Sequence, residues 1–306
     1  MAHEGSMKAI IAALLANLGI AITKFIAYVF SGSASMLAES VHSLADSGNQ
    51  LLLIIGGRRA RREATPEHPF GYGRSRYVYA FIVSVVLFTV GGVFSIYEGL
   101  DKLGHPHELE NAWLPILVLS VAIVLESFSL ATAVRESKKV KGKQSWINFI
   151  KHAKSPELPV VLLEDIAALL GLVFALTGIG LSVITGNPIF DAYGTLAIGA
   201  LLVVVAVILG LEMGSLLIGE GAQPQEVVAI RKALLNTQGV TAVIHMKTLY
   251  VGPEELMVAA KIGIQPSSSG QEVAAIINAA EKAMREQLPV AQLIYLEPDI
   301  LHTTNA

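Results

Sequence analysis

The 306-residue sequence contains no cysteine. That excludes disulfides, thiolate zinc sites and iron–sulfur clusters, so any metal site must be built from His, Asp, Glu and neutral oxygen donors. Charge is sparse as well. Asp, Glu, Lys and Arg make up 15% of the chain against 53% from the apolar set, and the formal net charge is −3. A weakly negative balance offers no electrostatic footprint for nucleic acid, which is excluded as a partner. Few charges and a large apolar fraction point to an α-helical polytopic membrane protein with an appended soluble part. Residues 1–7, reading MAHEGSM, are expected to be a vector-derived or disordered start, and no cleavable signal peptide is evident.

A spanning helix needs about 20 mostly apolar residues. Six segments qualify: Lys8–Phe30, Met36–Gly56, Tyr77–Leu100, Trp113–Val134, Pro159–Ile184 and Phe190–Ile218. They define a six-helix transmembrane domain over 8–220. The link between spans two and three carries Arg58, Arg59, Arg61, Arg62, Arg74 and Arg76. The link between spans four and five carries Arg135, Lys138, Lys139, Lys141, Lys143, Lys151 and Lys154. The opposite loops hold only Lys102, so the bias places both termini on the cytoplasmic side of the membrane. Within the second basic link, Trp146, Ile147, Phe149 and Ile150 fit either a short amphipathic turn on the membrane surface or a plain loop.

The character changes after Gly219. Pro224–Gln238 has helical spacing, with Gly239 suited to the C′ position. Val240–Val251 and Glu255–Gln265 read as strands around a Gly252-Pro253 turn. Ser267–Leu288 reads as a helix with Ser268, Ser269 or Gly270 near its cap, and Ala291–Leu296 as a third strand. The order predicts a small ferredoxin-like α+β domain over 221–306.

Span two is the anomaly. "LAESVHSLADSGNQLLLII" places Glu39, His42, Asp46 and Asn49 at i, i+3, i+7 and i+10, one stripe along a helix, with Leu44, Leu51 and Leu52 on the other side. Such a stripe should face the bundle interior. His42 and Asp46, at i and i+4, can reach one ion from adjacent turns. Two readings stand. Polar groups glue membrane helices together for about 1 kcal/mol each or less, which suits Asn49. An ionised Asp in mid-membrane costs about 2.5–3.5 kcal/mol on insertion scales, which favours a cation beside Asp46. Span five adds Glu164 and Asp165, which point about 100° apart on a helix. One imidazole and two or three carboxylates suit Zn²⁺, with Mn²⁺, Fe²⁺, Co²⁺ and Cd²⁺ as relatives, and disfavour Cu(I). Glu126 in span four lines a pathway or is paired structurally. Lys24, on one face with Asn17, is expected to snorkel to the interface.

These features together resemble the cation diffusion facilitator family. "EHPFGYGRSRYVYAF" is similar to its His-Pro-(Tyr/Phe)-Gly-Tyr-Gly segment, and "GNPIFDAYGTLAIG" to its Gly-x-Pro…Asp-Pro stretch. The variants "AESVHSLADSGNQ" and "LLEDIAALLGL" look most like the subgroup containing a human zinc transporter. The resemblance covers nearly the whole chain. It implies a homodimer in the lipid bilayer, exporting divalent metal from the cytoplasm in exchange for protons, with a tetrahedral site between spans two and five. Carried over, His42 and Asp46 match the span-two motif. Asp165 takes the Asp position of the span-five His-x-x-x-Asp, where Val161 stands at the His position. Glu164 or a water is then the fourth ligand. Arg74 and Glu220 are expected to pair at the cytoplasmic neck. His245 and His302 alone remain in the C-terminal domain, which is expected to dimerise without a multi-zinc cluster. The membrane is expected to be a bacterial inner membrane.

The alternatives are an exporter of Mn, Fe, Co or Cd, a membrane protein that binds metal without moving it, and a metallohydrolase. No enzyme chemistry is expected, because His42 lacks a His-Glu-x-x-His arrangement.

Overall fold

The computed structural model describes residues 2–300. Among them are six helices of 27 to 30 residues: α1 Ala2–Ser31, α2 Ala34–Ala60, α3 Ser75–Gly104, α4 Trp113–Lys141, α6 Glu157–Thr185 and α7 Ile189–Ile218. The short α5, Trp146–His152, follows α4, so the amphipathic stretch is helical; Ser145 caps it by accepting from the Asn148 amide. Four of the long helices, α3, α4, α6 and α7, are long and apolar enough to cross a membrane among the described residues. The apolar part of α1 described there is the shorter Asn17–Ser31.

α2 falls outside that set because its polar stripe dilutes its apolar character, and its burial is inverted relative to a soluble helix. Glu39, Ser40, His42, Ser43, Ser47 and Asn49 are buried, while Leu44 and Leu51 are 56% and 46% exposed.

The chain forms two compact units. One comprises the residues to Gly57 with Tyr77–Gly214; the other comprises Arg58–Arg76 with the chain from Ser215 onward. In the first, α4 packs along α6 and against α1. α3 contains a π-helical stretch, Leu87–Val93, and meets α7 through small residues. A Cβ on Gly92 would lie 2.7 Å from Val203 Cγ2, and one on Gly199 would lie 2.8 Å from the Ile96 amide nitrogen. Only glycine permits that backbone approach.

The second unit holds α8 Pro224–Leu235, β1 Ala242–Gly252, β2 Glu255–Gly263, α9 Gly270–Gln287 and β3 Ala291–Asp299. The sheet order is β1-β2-β3, with β1 antiparallel and β3 parallel to β2. This is the β-α-β-β-α-β chain order without its first strand, so β2 and β3 pair directly. Ile230, Leu234, Leu256, Val258, Ile262, Met284 and Ile294 form the core between helices and sheet. Ser269 proves to be the α9 cap, in a capping box with Glu272. α8 ends earlier than its spacing predicts. Asn236 is its C-cap, the Thr237 hydroxyl bonds back to Ala233 O, and Gly239 takes φ 94° three residues on.

Residues of the "HPFGYG" segment fold with this unit. Thr65 and His68 exchange backbone hydrogen bonds, and the His68 and Tyr72 rings lie with centroids 4.5 Å apart, tilted by 59°. Gly73 lies against the β1–β2 turn, where a Cβ would meet Val251 O at 2.8 Å. Arg74 reaches beside Gly219, and Glu220 accepts from the Ser215 hydroxyl at 2.6 Å. His302 lies outside the described residues.

A candidate cation site in the membrane domain

The polar stripe of α2 meets three other helices. At its N-terminal end, the Lys24 ammonium of α1 donates to Glu39 Oε2 at 2.9 Å and to Ser43 Oγ at 2.8 Å. Lys24 and Glu39 are 1% and 0% exposed. The expected snorkelling of Lys24 is therefore wrong. Lys24 is buried in protein, and a carboxylate on the neighbouring helix takes its charge. Breaking a buried pair by removing one partner costs about 3–5 kcal/mol, because the other charge stays uncompensated. Glu39 Oε1 has no hydrogen-bond partner. It lies against α6, where a Cβ on Gly171 would come within 2.6 Å of it.

One turn on, the His42 side chain is 1% exposed, and neither ring nitrogen has a hydrogen-bond partner. Its Nδ1 lies 3.5 Å from Asp46 Oδ1, which also lacks a hydrogen bond. Buried imidazoles and carboxylates are ordinarily satisfied. Two adjacent unsatisfied groups, both able to offer lone pairs, form a donor set for a cation.

Asp46 lines a cavity of about 290 Å³ with Val161, Glu164 and Asp165 of α6 and Glu126 and Ser129 of α4. Glu164 and Asp165 diverge as neighbours on a helix must, yet both reach this cavity. Glu164 Oε1 accepts from Asn49 Nδ2 at 2.7 Å, and Asp165 Oδ2 accepts from Ser129 Oγ at 3.0 Å. The structure thus gathers Asp46, Glu164 and Asp165 around one space, with His42 touching Asp46. As they stand, no three His, Asp or Glu side chains among the described residues converge closely enough to hold an ion. Asn49 acts as interhelical glue. Val161 lines the cavity where a span-five histidine would be expected. Glu126, a pathway candidate by sequence, shares the cavity.

Sequence reasoning missed the Lys24–Glu39–Ser43 cluster and Ser129. The available signal was a lone cation in an apolar run and a Glu in the stripe with no local counter-charge.

The arrangement can be set beside known proteins. A family model described as the cation efflux transmembrane domain matches residues 10–218, and one described as the cation efflux protein cytoplasmic domain matches 222–299. This chain belongs to the cation efflux family. Among curated relatives, the human proton-coupled zinc antiporter SLC30A9, mitochondrial, is 34% identical over 81% of this chain and 44% of its own length. Metal tolerance protein C4 of Arabidopsis thaliana is 31% identical over 85% of this chain and 57% of its own length. The cation-efflux pump FieF of Pectobacterium atrosepticum is 24% identical over 94% of this chain and 90% of its own length. The chain spans about half the length of the first curated relatives it matches. A solved MamM CTD chain is 20% identical over 26% of this chain and all of that chain, with a TM-score of 0.25.

Family membership makes this cation efflux protein an integral membrane protein, as the apolar helices require. The family and the named antiporter and pump are transporters, not enzymes.

Proposed function

We propose that this protein moves divalent metal cations, zinc above all, across a membrane in exchange for protons. The carrying observation is the buried His42 imidazole, unsatisfied at both nitrogens and 3.5 Å from an equally unsatisfied Asp46 oxygen. The name of the human relative, a proton-coupled zinc antiporter, supports the choice of ion and counter-ion. His42 and Asp46 of α2 are the first two ligands, and Asp165 and Glu164 of α6 complete the set. Loading has to bring these groups closer together, because as they stand no three of them converge on one point. Nitrogen and oxygen donors without thiolate suit Zn²⁺, and Mn²⁺, Fe²⁺, Co²⁺ and Cd²⁺ are the competing substrates.

Zinc binds the deprotonated imidazole and the carboxylates, so proton and metal compete for the same atoms. Metal displaces protons on the cytoplasmic face, protons displace metal on the other, and a rocking motion of helices alternates access. All six long helices span, α1 and α2 included, and the Arg- and Lys-rich links put both termini in the cytoplasm. The transmembrane domain runs over 8–220. The segment 221–306 joins two copies into a homodimer, a reading supported by the match to the family's cytoplasmic domain. The bilayer is one that carries a proton gradient, as the bacterial inner membrane expected from the sequence does.

The test is uptake of radioactive zinc by sealed proteoliposomes, with and without a pH gradient. Uptake rising with an inside-acid gradient supports antiport. Binding of zinc without passage across the bilayer reduces the protein to a metal-binding one and rejects transport.

A further inference from the structure

Glu39 lies on α2 one helical turn before His42, on the buried face that also carries Asp46. Its Oε2 is engaged by the ammonium of Lys24 on α1 at 2.9 Å. Its other oxygen is unsatisfied and seated against Gly171 of α6. The same ammonium is tied to Ser43, the residue after His42 and three before Asp46. Two opposite charges therefore cancel each other immediately beside the candidate ligands.

Removing either one leaves the other buried and uncompensated. A buried anion without its counter-ion takes the nearest cation available. For Glu39 freed of Lys24, that cation is the divalent substrate held one turn away. For Lys24 freed of Glu39, the ammonium stays tied to Ser43, three residues before Asp46, and competes with the substrate for that carboxylate. The pair should act on substrate affinity in opposite directions.

We propose that Lys24 is a positioning residue that sets how tightly the site holds its cation, by keeping Glu39 out of the ligand set. The inference rests on the transport function proposed above. Groups beside a metal site commonly change its affinity by about tenfold or more. The Lys24–Glu39 pair differs from an ordinary structural pair in the sign of the two effects.

The experiment is zinc uptake by proteoliposomes over a range of zinc concentrations, for the parent, Lys24→Met, Glu39→Gln and the double variant. Lys24→Met is expected to lower the half-saturating concentration about tenfold and to slow the maximal rate, because release becomes harder. Glu39→Gln is expected to raise the half-saturating concentration about tenfold. The double variant, with neither charge, is expected to return toward the parental value. A pair that only braces α1 against α2 would slow both single variants and leave the half-saturating concentration unmoved, or move it the same way in both. Either result overturns the inference. Should Lys24→Met fail to fold, Glu39→Gln and the double variant decide: separation supports the proposal and identical values overturn it. A parent that takes up no divalent ion removes the transport reading together with this one. A parent that does, with unshifted variants, removes this one alone.

Discussion

Asp191 shows how single side chains hold this membrane domain in register. It belongs to the first turn of α7, is fully buried, and reaches across to the start of α2. Oδ1 accepts from the Ser33 hydroxyl at 2.9 Å and the Ser35 amide at 3.3 Å, and Oδ2 accepts from the Ala34 amide at 2.8 Å. The first amides of a helix have no intrahelical partner, and an anion placed on them also meets the positive end of the helix dipole. Asp191 is therefore the N-terminal cap of α2, supplied from another helix. Each donor left unsatisfied in a buried setting costs about 1–3 kcal/mol. Asp191→Ala is expected to lower the thermal midpoint of the detergent-solubilised protein and to loosen the helix that carries His42 and Asp46. An unchanged midpoint would contradict this role. Neither this cap nor the Lys24–Glu39 pair was legible in the sequence. Their partners lie 157 and 15 residues apart on different helices, and hydrophobic spacing says nothing about which turn of one helix faces which turn of another.

At the scale of elements, the sequence was legible where periodicity and capping decide. Each of the six long helices contains its expected range, because apolar residues recur along each of them at helical spacing, while α1 begins six residues earlier and α4 ends seven residues later than expected. The stripe on α2 was legible because 3.6-residue spacing assigns a face before any partner is known. The C-terminal unit carries the same lesson at α9. Ser269 accepts from the Glu272 amide while the Glu272 carboxylate accepts from the Ser269 amide and hydroxyl. Those hydrogen bonds, the backbone one first, hold the Glu272 carboxyl below its usual range. A group whose folded pKa is depressed contributes stability above its unfolded pKa and loses it as pH falls through the folded value. Glu272→Gln is expected to speed hydrogen exchange at the first turn of α9 at neutral pH. The difference from the parent should shrink as pH falls through the lowered folded pKa of Glu272, where its carboxylate protonates. A difference independent of pH would show that the charge plays no part.

For the whole molecule, the sparse charge noted at the outset takes on a definite shape. The charges that remain inside the membrane helices are not scattered. Glu39 is cancelled by Lys24, Asp191 is spent on a helix terminus, and Glu164 and Asp165 are each held by one neutral donor. His42 and Asp46 lie 3.5 Å apart with both ring nitrogens and Asp46 Oδ1 unsatisfied. That unsatisfied pair is why the proposed cation site is centred on His42 and Asp46. Val161 explains why the site was only partly legible. The family-like spacing located α6 as the second wall, but the residue at the histidine position is apolar, so the ligands on that wall could be narrowed only to Glu164 and Asp165. The central claim is that cation movement runs through His42. It is tested most directly by zinc flux into proteoliposomes under a pH gradient, comparing the parent with His42→Ala at equal amounts of folded protein. The account predicts that flux falls at least about tenfold. Zinc transport by His42→Ala at the parental rate would contradict it.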